Sequence, residues 1–280
     1  MRLCRIVNRI GTVAIFVATL LFASCATLSP YGVGRIKRYT VESERLPEEF
    51  NDFTFAFLSD IHYPSKFTRK RLAKAVRTLR DEQPQMLLLG GDYVTADKYI
   101  DELFDSISTV RTRYGTFAVL GNHEYRRAEQ IESAMNKYGI NLLSDESVEI
   151  LGDSSVIYLL GVRNPFVVDE NAFVLNVPDS LYSILLSHTP DYAQDVNVAA
   201  DLVLSGHTHG GQVSILGLYA PVTNSRYGSR FLSGLNYTDT AVPVITTNGV
   251  GTSRRKVRFC VPSEILFIRL QHKDSGNKRR

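Results

Sequence analysis

The sequence predicts one α/β domain built from two packed, mixed β-sheets with helices on the outside. From Asp52 onward, short apolar runs alternate with segments whose apolar residues recur at helical spacing, and beyond Asn141 the apolar runs predominate. Hydrophobic residues fill 44% of the 280 positions and charged residues 22%, so the chain has material for a large core and is not disordered. The stretch 52–271 has the length of a single domain.

The first half of this domain combines strands with helices. Apolar runs that end at a polar residue or at glycine predict strands, and the spacing of Leu72, Ala75, Val76 and Leu79 is typical of an amphipathic helix. The predicted order is strand 53–59, helix 68–82, strand 85–89, helix 100–110, strand 116–120 and helix 129–138. The second half is predicted to be mostly strands, at 156–162, 182–186, 202–204, 242–246 and 265–270.

The N-terminal segment has the composition of an export signal. Arg2, Arg5 and Arg9 precede an uncharged run over 10–23 that is too short to span a bilayer comfortably. The sequence before Cys25 resembles a bacterial lipoprotein signal, in which this cysteine is lipidated and becomes the new N-terminus. An uncleaved membrane anchor is the alternative. The predicted division is a signal peptide at 1–24, a tether and lead-in at 25–51, the domain at 52–271 and a polar tail at 272–280.

The export signal accounts for the net charge of the chain. Residues 1–24 contain three Arg and no acid, so their removal lowers the formal charge from +3 to zero. A neutral domain does not bind nucleic acid mainly through phosphates, and we expect no nucleic-acid partner. With either a lipidated Cys25 or a retained anchor, the domain is expected at a membrane of the bacterial cell envelope, facing the periplasm or the exterior.

Five of the six histidines stand beside Asp, Asn, Ser or Gly near the ends of predicted strands. Ligands of α/β sheets bind just beyond the carboxyl ends of strands, so segments that are distant in sequence can converge there. Carboxylate, imidazole and amide oxygen suit Mn²⁺, Fe or Zn²⁺, and these segments offer no thiolate. Together they predict a metal site. They are Asp60-Ile61-His62, Gly91-Asp92, Gly121-Asn122-His123-Glu124, Ser187-His188 and Gly206-His207-Thr208-His209-Gly210.

In this order the five segments resemble the signature of the calcineurin-like metallophosphoesterase superfamily. The resemblance implies a sandwich of two sheets that binds two divalent metal ions, of Mn, Fe or Zn. It assigns three ligands to each ion and one carboxylate to both. The implied ligands are Asp60, His62 and His209 for one ion, Asn122, His188 and His207 for the other, and Asp92 for both.

The same resemblance implies how such a site would act on a phosphoester. A bridging hydroxide would attack phosphorus, while the two ions hold the attacking and leaving oxygens. His123 would be the proton donor to the leaving oxygen or an orienter of the substrate. The structural alternative for His123 is support of Asn122 through a hydrogen bond.

Two departures from the superfamily's protein phosphatases make a phosphoprotein substrate doubtful. Tyr63 follows His62 at a position where those enzymes have Gly. Thr95-Ala96-Asp97 stands where they have an Asp-Arg-Gly run. The arginine that would hold the phosphate of a phosphoprotein is therefore missing at that place.

Later segments are similar to exported or membrane-associated phosphodiesterases of the superfamily, some of which resemble UDP-2,3-diacylglucosamine pyrophosphatases of lipid A synthesis. These segments are 206–212, the stretch up to 226–228, and 248–253 followed by 257–259. Arg226, Arg254 or Arg255 could bind a substrate phosphate. A structural turn that carries surface charge is the alternative.

We therefore expect a metal-dependent phosphodiesterase or pyrophosphatase that acts near a membrane on a phosphoester, with a lipid-linked substrate as one version. The lipid A pyrophosphatase is kept as an alternative, because its nucleotide-linked substrate is made in the cytoplasm whereas a cleaved lipoprotein faces away from it. A non-catalytic, metal-binding envelope lipoprotein is a second alternative. A dimetal peptidase or amidase is a third, and only the phosphoesterase resemblance speaks against it.

Overall fold

Twelve strands form two six-stranded sheets in the part of the chain that the computed structural model describes. This part comprises residues 34–64, 67–163, 165–166, 177–178, 180–196, 198–215, 219–253 and 257–274. The predicted signal peptide 1–24, Cys25, Arg254, Arg255 and residues 275–280 of the predicted tail lie outside it.

The first sheet is mostly parallel. Its strands are β1 (Arg35–Ser43), β2 (Thr54–Leu58), β3 (Met86–Leu89), β4 (Thr116–Ala118), β5 (Ile140–Leu142) and β12 (Glu264–His272). Their spatial order is β1-β12-β2-β3-β4-β5. The strands from β2 to β5 run parallel, whereas β12 is antiparallel to β2 and parallel to β1.

The second sheet has a parallel centre and two antiparallel edges. Its strands are β6 (Glu146–Leu151), β7 (Val156–Gly161), β8 (Ser183–Leu186), β9 (Leu202–Ser205), β10 (Gly234–Tyr237) and β11 (Pro243–Thr246). Their order is β10-β11-β9-β8-β7-β6, with β6 and β10 antiparallel to their neighbours. Both sheets are therefore mixed, as predicted.

Helices cover the outer faces of the sheets. They are α1 (Arg69–Glu82), α2 (Ile100–Ser108), α3 (Ala128–Lys137) and α4 (Asp191–Asp195). The first three pack on the first sheet, and α4 packs on the second. Along β2, Phe55 and Phe57 point between the sheets, whereas Ala56 and Leu58 point toward the helices, because alternate side chains of a strand face opposite ways. The predicted fold class is confirmed.

The segment predicted as a tether carries a strand of the first sheet, so that prediction is wrong over 35–43. β1 pairs with β12 along its whole length, from Arg35 opposite Glu264 to Ser43 opposite His272. Its position at the sheet edge leaves most of its side chains exposed or half-buried, and its sequence is therefore polar rather than apolar. The same pairing extends β12 to His272, two residues past the predicted strand.

The other predicted elements are confirmed within a few residues of their predicted bounds. Strands β5, β6 and β10 and helix α4 were not predicted, because they are short or largely exposed and carry little periodic signal. None of the helices within the described ranges is long and apolar enough to cross a membrane.

The layer between the sheets provides a stability test. We expect Phe55→Ala to lower the free energy of unfolding by about 3–5 kcal/mol, because it empties a fully buried site whose neighbours cannot collapse into it. Leu151→Ala is the control, since that side chain is 64% exposed, and it should cost less than about 0.5 kcal/mol. Urea unfolding of the three proteins measures both values, and equal losses would contradict this placement of Phe55.

Candidate metal centre

The motif residues all follow strands of the parallel parts of the two sheets. Asp60 and His62 follow β2, Asp92 follows β3, Asn122 and His123 follow β4, His188 follows β8, and His207 and His209 follow β9. The first three strands belong to one sheet and the last two to the other. The predicted site residues therefore meet at one edge of the sandwich, at the carboxyl ends of strands from both sheets.

One group of buried side chains could hold a metal ion. Asp60, His62, Asp92 and His209 each offer one ligand atom, and these atoms lie within 4.8 Å of one another. The Nε2 atoms of His62 and His209 are 3.1 Å apart, and His209 Nε2 is 3.3 Å from Asp60 Oδ1. Two nitrogens bound to one ion at about 2.1 Å each are about 3 Å apart. The distance between Nε2 of His62 and Nε2 of His209 therefore fits two ligands of the same ion.

A second group of the same kind consists of Asp92, His188 and His207. Asp92 belongs to both groups, and its Oδ2 lies 3.5 Å from Nε2 of His62 and 3.5 Å from Nε2 of His188. His188 Nδ1 is 2.6 Å from the carbonyl oxygen of Gly90, which can only accept a hydrogen bond. Nδ1 of His188 therefore carries a proton, and Nε2 faces Asp92.

Among the described residues, two predicted ligands of the second ion each have a buried polar atom without a hydrogen-bond partner. The two atoms are Asn122 Oδ1 and His188 Nε2. An unsatisfied buried acceptor costs roughly 1–3 kcal/mol, and a divalent cation would satisfy both atoms at once. The donor set of carboxylate, amide and imidazole thus fits a pair of ions such as Mn²⁺, Fe or Zn²⁺.

The backbone adopts an unusual conformation at most of the candidate ligands. Five of these residues have φ between 45° and 68°, a region that residues with a side chain rarely adopt. Such strain persists where the surrounding structure enforces it, and it is common at functional sites. Gly121 allows one close approach, because a Cβ there would collide with Asp92 Oδ1. The five residues are Asp60, His62, Asp92, His207 and His209.

Burial keeps most of the imidazoles neutral. It lowers the pKa of His62 to about 4 and that of His207 to about 3, so both offer the unprotonated nitrogen that a metal requires. Burial also raises the pKa of Asp60 to about 6. For His188, burial lowers the pKa, but the charge and hydrogen bonding of Asp92, together with Asp60 and the carbonyl of Gly90, outweigh burial and raise the pKa to about 10. A cation would displace that proton and stabilise the carboxylates.

His123 stands at the mouth of the centre. Its backbone N–H donates to Asp92 Oδ1 at 3.0 Å, and its ring packs edge-on against His62 with centroids 4.8 Å apart. The side chain is 45% exposed, and Nε2 lies 3.9 Å from Asp92 Oδ2. The ring can therefore touch both the centre and a molecule that enters from solvent. Its predicted role as proton donor or substrate orienter stays a prediction.

Glu124 is a site residue to which the sequence analysis gave no role, although it follows His123 directly in the motif. Its fully buried carboxylate accepts hydrogen bonds from the backbone N–H groups of Asp92 (2.8 Å), Tyr93 (3.0 Å) and Gly121 (2.9 Å). Burial, with a further contribution from Asp92, raises the pKa of Glu124 to about 7. The carboxylate thus joins the loops after β3 and β4.

Arg258 plays a similar part on the other side of the centre, and the sequence analysis gave no role to it beyond its place in the segment 257–259. Its guanidinium donates to the carbonyl oxygens of His209 (3.2 Å), Gly251 (2.7 Å) and Asn248 (2.5 Å). Burial lowers the pKa of Arg258 to about 10, which leaves it charged at neutral pH. It ties the loop after β9 to the loop after β11.

Arg226, a predicted phosphate contact, lies in a depression that His207 also lines. Its guanidinium pairs with Asp195, and its Nε lies 3.8 Å from Asp191. A substrate phosphate at this place would compete with two carboxylates for the same charge. The other predicted contacts, Arg254 and Arg255, lie outside the described residues.

Replacement of Glu124 tests its positioning role. In Glu124→Gln, an amide NH₂ faces backbone donors, so we expect a loss of about 1–3 kcal/mol in the free energy of unfolding and a metal affinity about 10–100-fold lower. Glu129→Gln, on the exposed face of α3, removes the same charge without either effect. Chemical unfolding and titration with Mn²⁺ measure both quantities. Identical behaviour of the two variants would exclude this role.

Comparison with known proteins agrees with the geometry. The family model for calcineurin-like phosphoesterases matches residues 53–211. A metallophosphoesterase of Aquifex aeolicus is 31% identical over 269 residues, which cover 92% of this chain and 99% of that protein. Phosphodiesterase YaeI of Escherichia coli is 30% identical over 231 residues, 78% of this chain and 82% of its own.

Among solved structures, that of an archaeal phosphodiesterase aligns with a TM-score of 0.38 and 13% identity, over 70% of this chain and 84% of that one. The family match extends over more than half of the sequence and contains every candidate metal ligand named above. The chain belongs to the calcineurin-like phosphoesterases and is a phosphoester hydrolase.

Proposed function

We propose that this protein is a two-metal phosphodiesterase. The observation that carries the proposal is the position of Asp92, whose carboxylate belongs to two candidate ligand groups at once. A carboxylate shared in this way holds two cations close together, and paired cations suit in-line displacement at phosphorus. A scaffold or binding protein would have no need for such a pair.

In this proposal Asp60, His62 and His209 hold one ion, and Asn122, His188 and His207 hold the other. Two bound ions supply a water that is acidic enough to act as a nucleophile at neutral pH, and positive charge for the phosphate oxygens. The protein's own contribution is to fix the ligands. Ser59 Oγ donates to Asp60 Oδ2 at 2.7 Å, and Gly90 orients His188.

His123 completes the proposed chemistry on the solvent side. Its ring is near enough to the centre to reach a phosphoester held there, and exposed enough to reach the departing group. We assign it the proton that the leaving oxygen takes up. Neither a peptidase nor an amidase is favoured by the family to which the chain belongs.

The surroundings of the centre favour a diester or a pyrophosphate over a monoester. Two depressions flank the segment that carries His207 and His209. One, of about 400 Å³, is lined by His209, and the other, of about 530 Å³, by His207 and Arg226. A phosphate with two substituents can place one in each, whereas a monoester leaves one empty. The UDP-2,3-diacylglucosamine pyrophosphatase remains the alternative within this class.

We further propose that the enzyme works at a membrane of the cell envelope. The support is the basic and apolar N-terminal sequence that ends at Cys25, together with the absence of net charge from the rest of the chain. Lipidation at Cys25, or a retained anchor, would hold the domain at the membrane surface. A lipid-linked phosphoester is the substrate that such an anchor suits.

The two-metal proposal predicts metal-dependent turnover of bis-(p-nitrophenyl) phosphate. We expect activity with Mn²⁺ or Zn²⁺, its loss after chelation, and its return when metal is added again. Asp92→Asn should bind fewer ions and lose at least about 100-fold in kcat/KM, because both ligand groups lose a charged donor. Assays beside p-nitrophenyl phosphate give the diester preference. Unchanged metal binding and unchanged kcat/KM in Asp92→Asn would contradict the proposal.

The assignment of His123 predicts a separate effect. His123→Ala should lower kcat by about 10²–10⁴-fold while both ions stay bound, because the ring acts on the leaving group and is not needed as a ligand. The control is His272→Ala. His272 lies at the carboxyl end of β12, which runs antiparallel to β2 and therefore ends far from the metal centre. Metal analysis and steady-state kinetics separate the two roles. Loss of metal from His123→Ala would make it a ligand instead.

A further inference from the structure

A cavity of about 400 Å³ opens directly beside the metal centre. This volume lies in the range of small-molecule binding sites, roughly 300–1,000 Å³. One wall is the loop that carries His209, and much of the rest is aliphatic. No Lys, Arg, Asp or Glu is among its lining residues within the described part of the chain. The residues that matter here are His209, Gln212, Val213, Pro221, Val222 and Val257.

Backbone contacts between neighbouring segments hold the walls of the cavity in place. Val213 and Phe259 form a parallel bridge, in which the N–H of Ser214 donates to the carbonyl of Phe259 at 3.0 Å. Gly211, with φ of 74°, permits the close approach of the opposite wall, because a Cβ there would collide with the side chain of Ala220. Three separate segments are thus held around one opening.

Apolar side chains surround the mouth of this cavity. Of the eleven large hydrophobic residues that are exposed within the described ranges, three line it, with exposures of 38–57%. Clusters of exposed apolar side chains mark binding surfaces, whereas single ones are common on any protein. The three residues are Val213, Val222 and Val257.

From this arrangement we infer that the cavity binds an aliphatic ester group of the substrate, so that the enzyme prefers phosphodiesters with an alkyl or acyl chain. The inference rests on the proposed diesterase function. His209 is both a candidate ligand and a wall of the cavity, so the cavity adjoins the metal centre through this side chain. Val213, Pro221, Val222 and Val257 provide the aliphatic part of the described lining that would contact such a chain.

The test uses a series of p-nitrophenyl alkyl phosphodiesters with methyl, butyl and octyl groups, below their micellar concentrations, and the Mn²⁺-loaded full chain. Burial of one methylene contributes about 0.8 kcal/mol, which is about fourfold in kcat/KM. We therefore expect kcat/KM to rise by up to about fourfold per methylene until the cavity is full. Val222→Ser and Val257→Ser should flatten this rise. Leu151→Ser, a somewhat more exposed site on β6, should retain it.

A binding measurement gives a readout without turnover. Octyl phosphate should displace the fluorescent probe 1-anilinonaphthalene-8-sulfonate from the wild type, and ethyl phosphate should not. Both valine variants should bind the probe at least about fivefold more weakly, and Leu151→Ser should bind it normally. Equal displacement by the two phosphates would place the probe elsewhere and overturn the inference.

The remaining outcomes separate this inference from the proposed function. Metal-dependent hydrolysis with no dependence on chain length would overturn the chain-binding cavity and leave the diesterase standing. Absence of hydrolysis for every ester would overturn the diesterase, and this inference with it. In another outcome, kcat/KM does not change with chain length, and the protein binds vesicles or dimerises unless one of the valines is replaced. The apolar surface would then be a membrane or subunit contact, which also overturns the inference.

Discussion

The carboxylate of Asp92 is buried between imidazoles from both sheets, and the architecture of the site follows from the need to keep it there. A buried charge is expensive unless it is paired and hydrogen-bonded. His62 and His188 approach Oδ2 equally, at 3.5 Å, and the N–H of His123 donates to Oδ1. Glu124 then fixes the peptide of Asp92 itself. The charge is therefore compensated by groups that belong to three different loops, and bound cations would complete that compensation.

The two sheets contribute unequal halves of the candidate site. The first sheet supplies the carboxylates of Asp60 and Asp92 and the second supplies three imidazoles, of His188, His207 and His209. Neither half offers a complete set of ligands, so the site exists only when the sheets are packed. Binding of ions to the packed form stabilises it relative to the unfolded chain. Stability of the domain and occupancy of the centre are for this reason coupled properties.

Most strands and the candidate metal ligands were predictable from the sequence, whereas the residues that support the ligands were not. The ligand candidates stand at the ends of apolar strands beside glycines, so their convergence could be predicted without coordinates. The supporting residues Glu124 and Arg258 could not, because their partners are backbone groups of distant loops that leave no mark on sequence spacing. β1 was missed because an exposed edge strand needs no apolar face, and the pairing of Arg226 with Asp195 joins residues 31 positions apart.

The pairing of β1 with β12 also fixes where the chain enters the domain. Arg35 lies opposite Glu264, at the start of β12, and β12 runs antiparallel to β2, so this point is on the same edge as Asp60 and the metal centre. Ten residue steps separate Cys25 from Arg35, a reach of at most about 35 Å. An anchor at Cys25, as proposed, would therefore be a short tether that keeps the metal centre close to the membrane. The enzyme would then sample the surface of the membrane that holds it and little of the solution beyond.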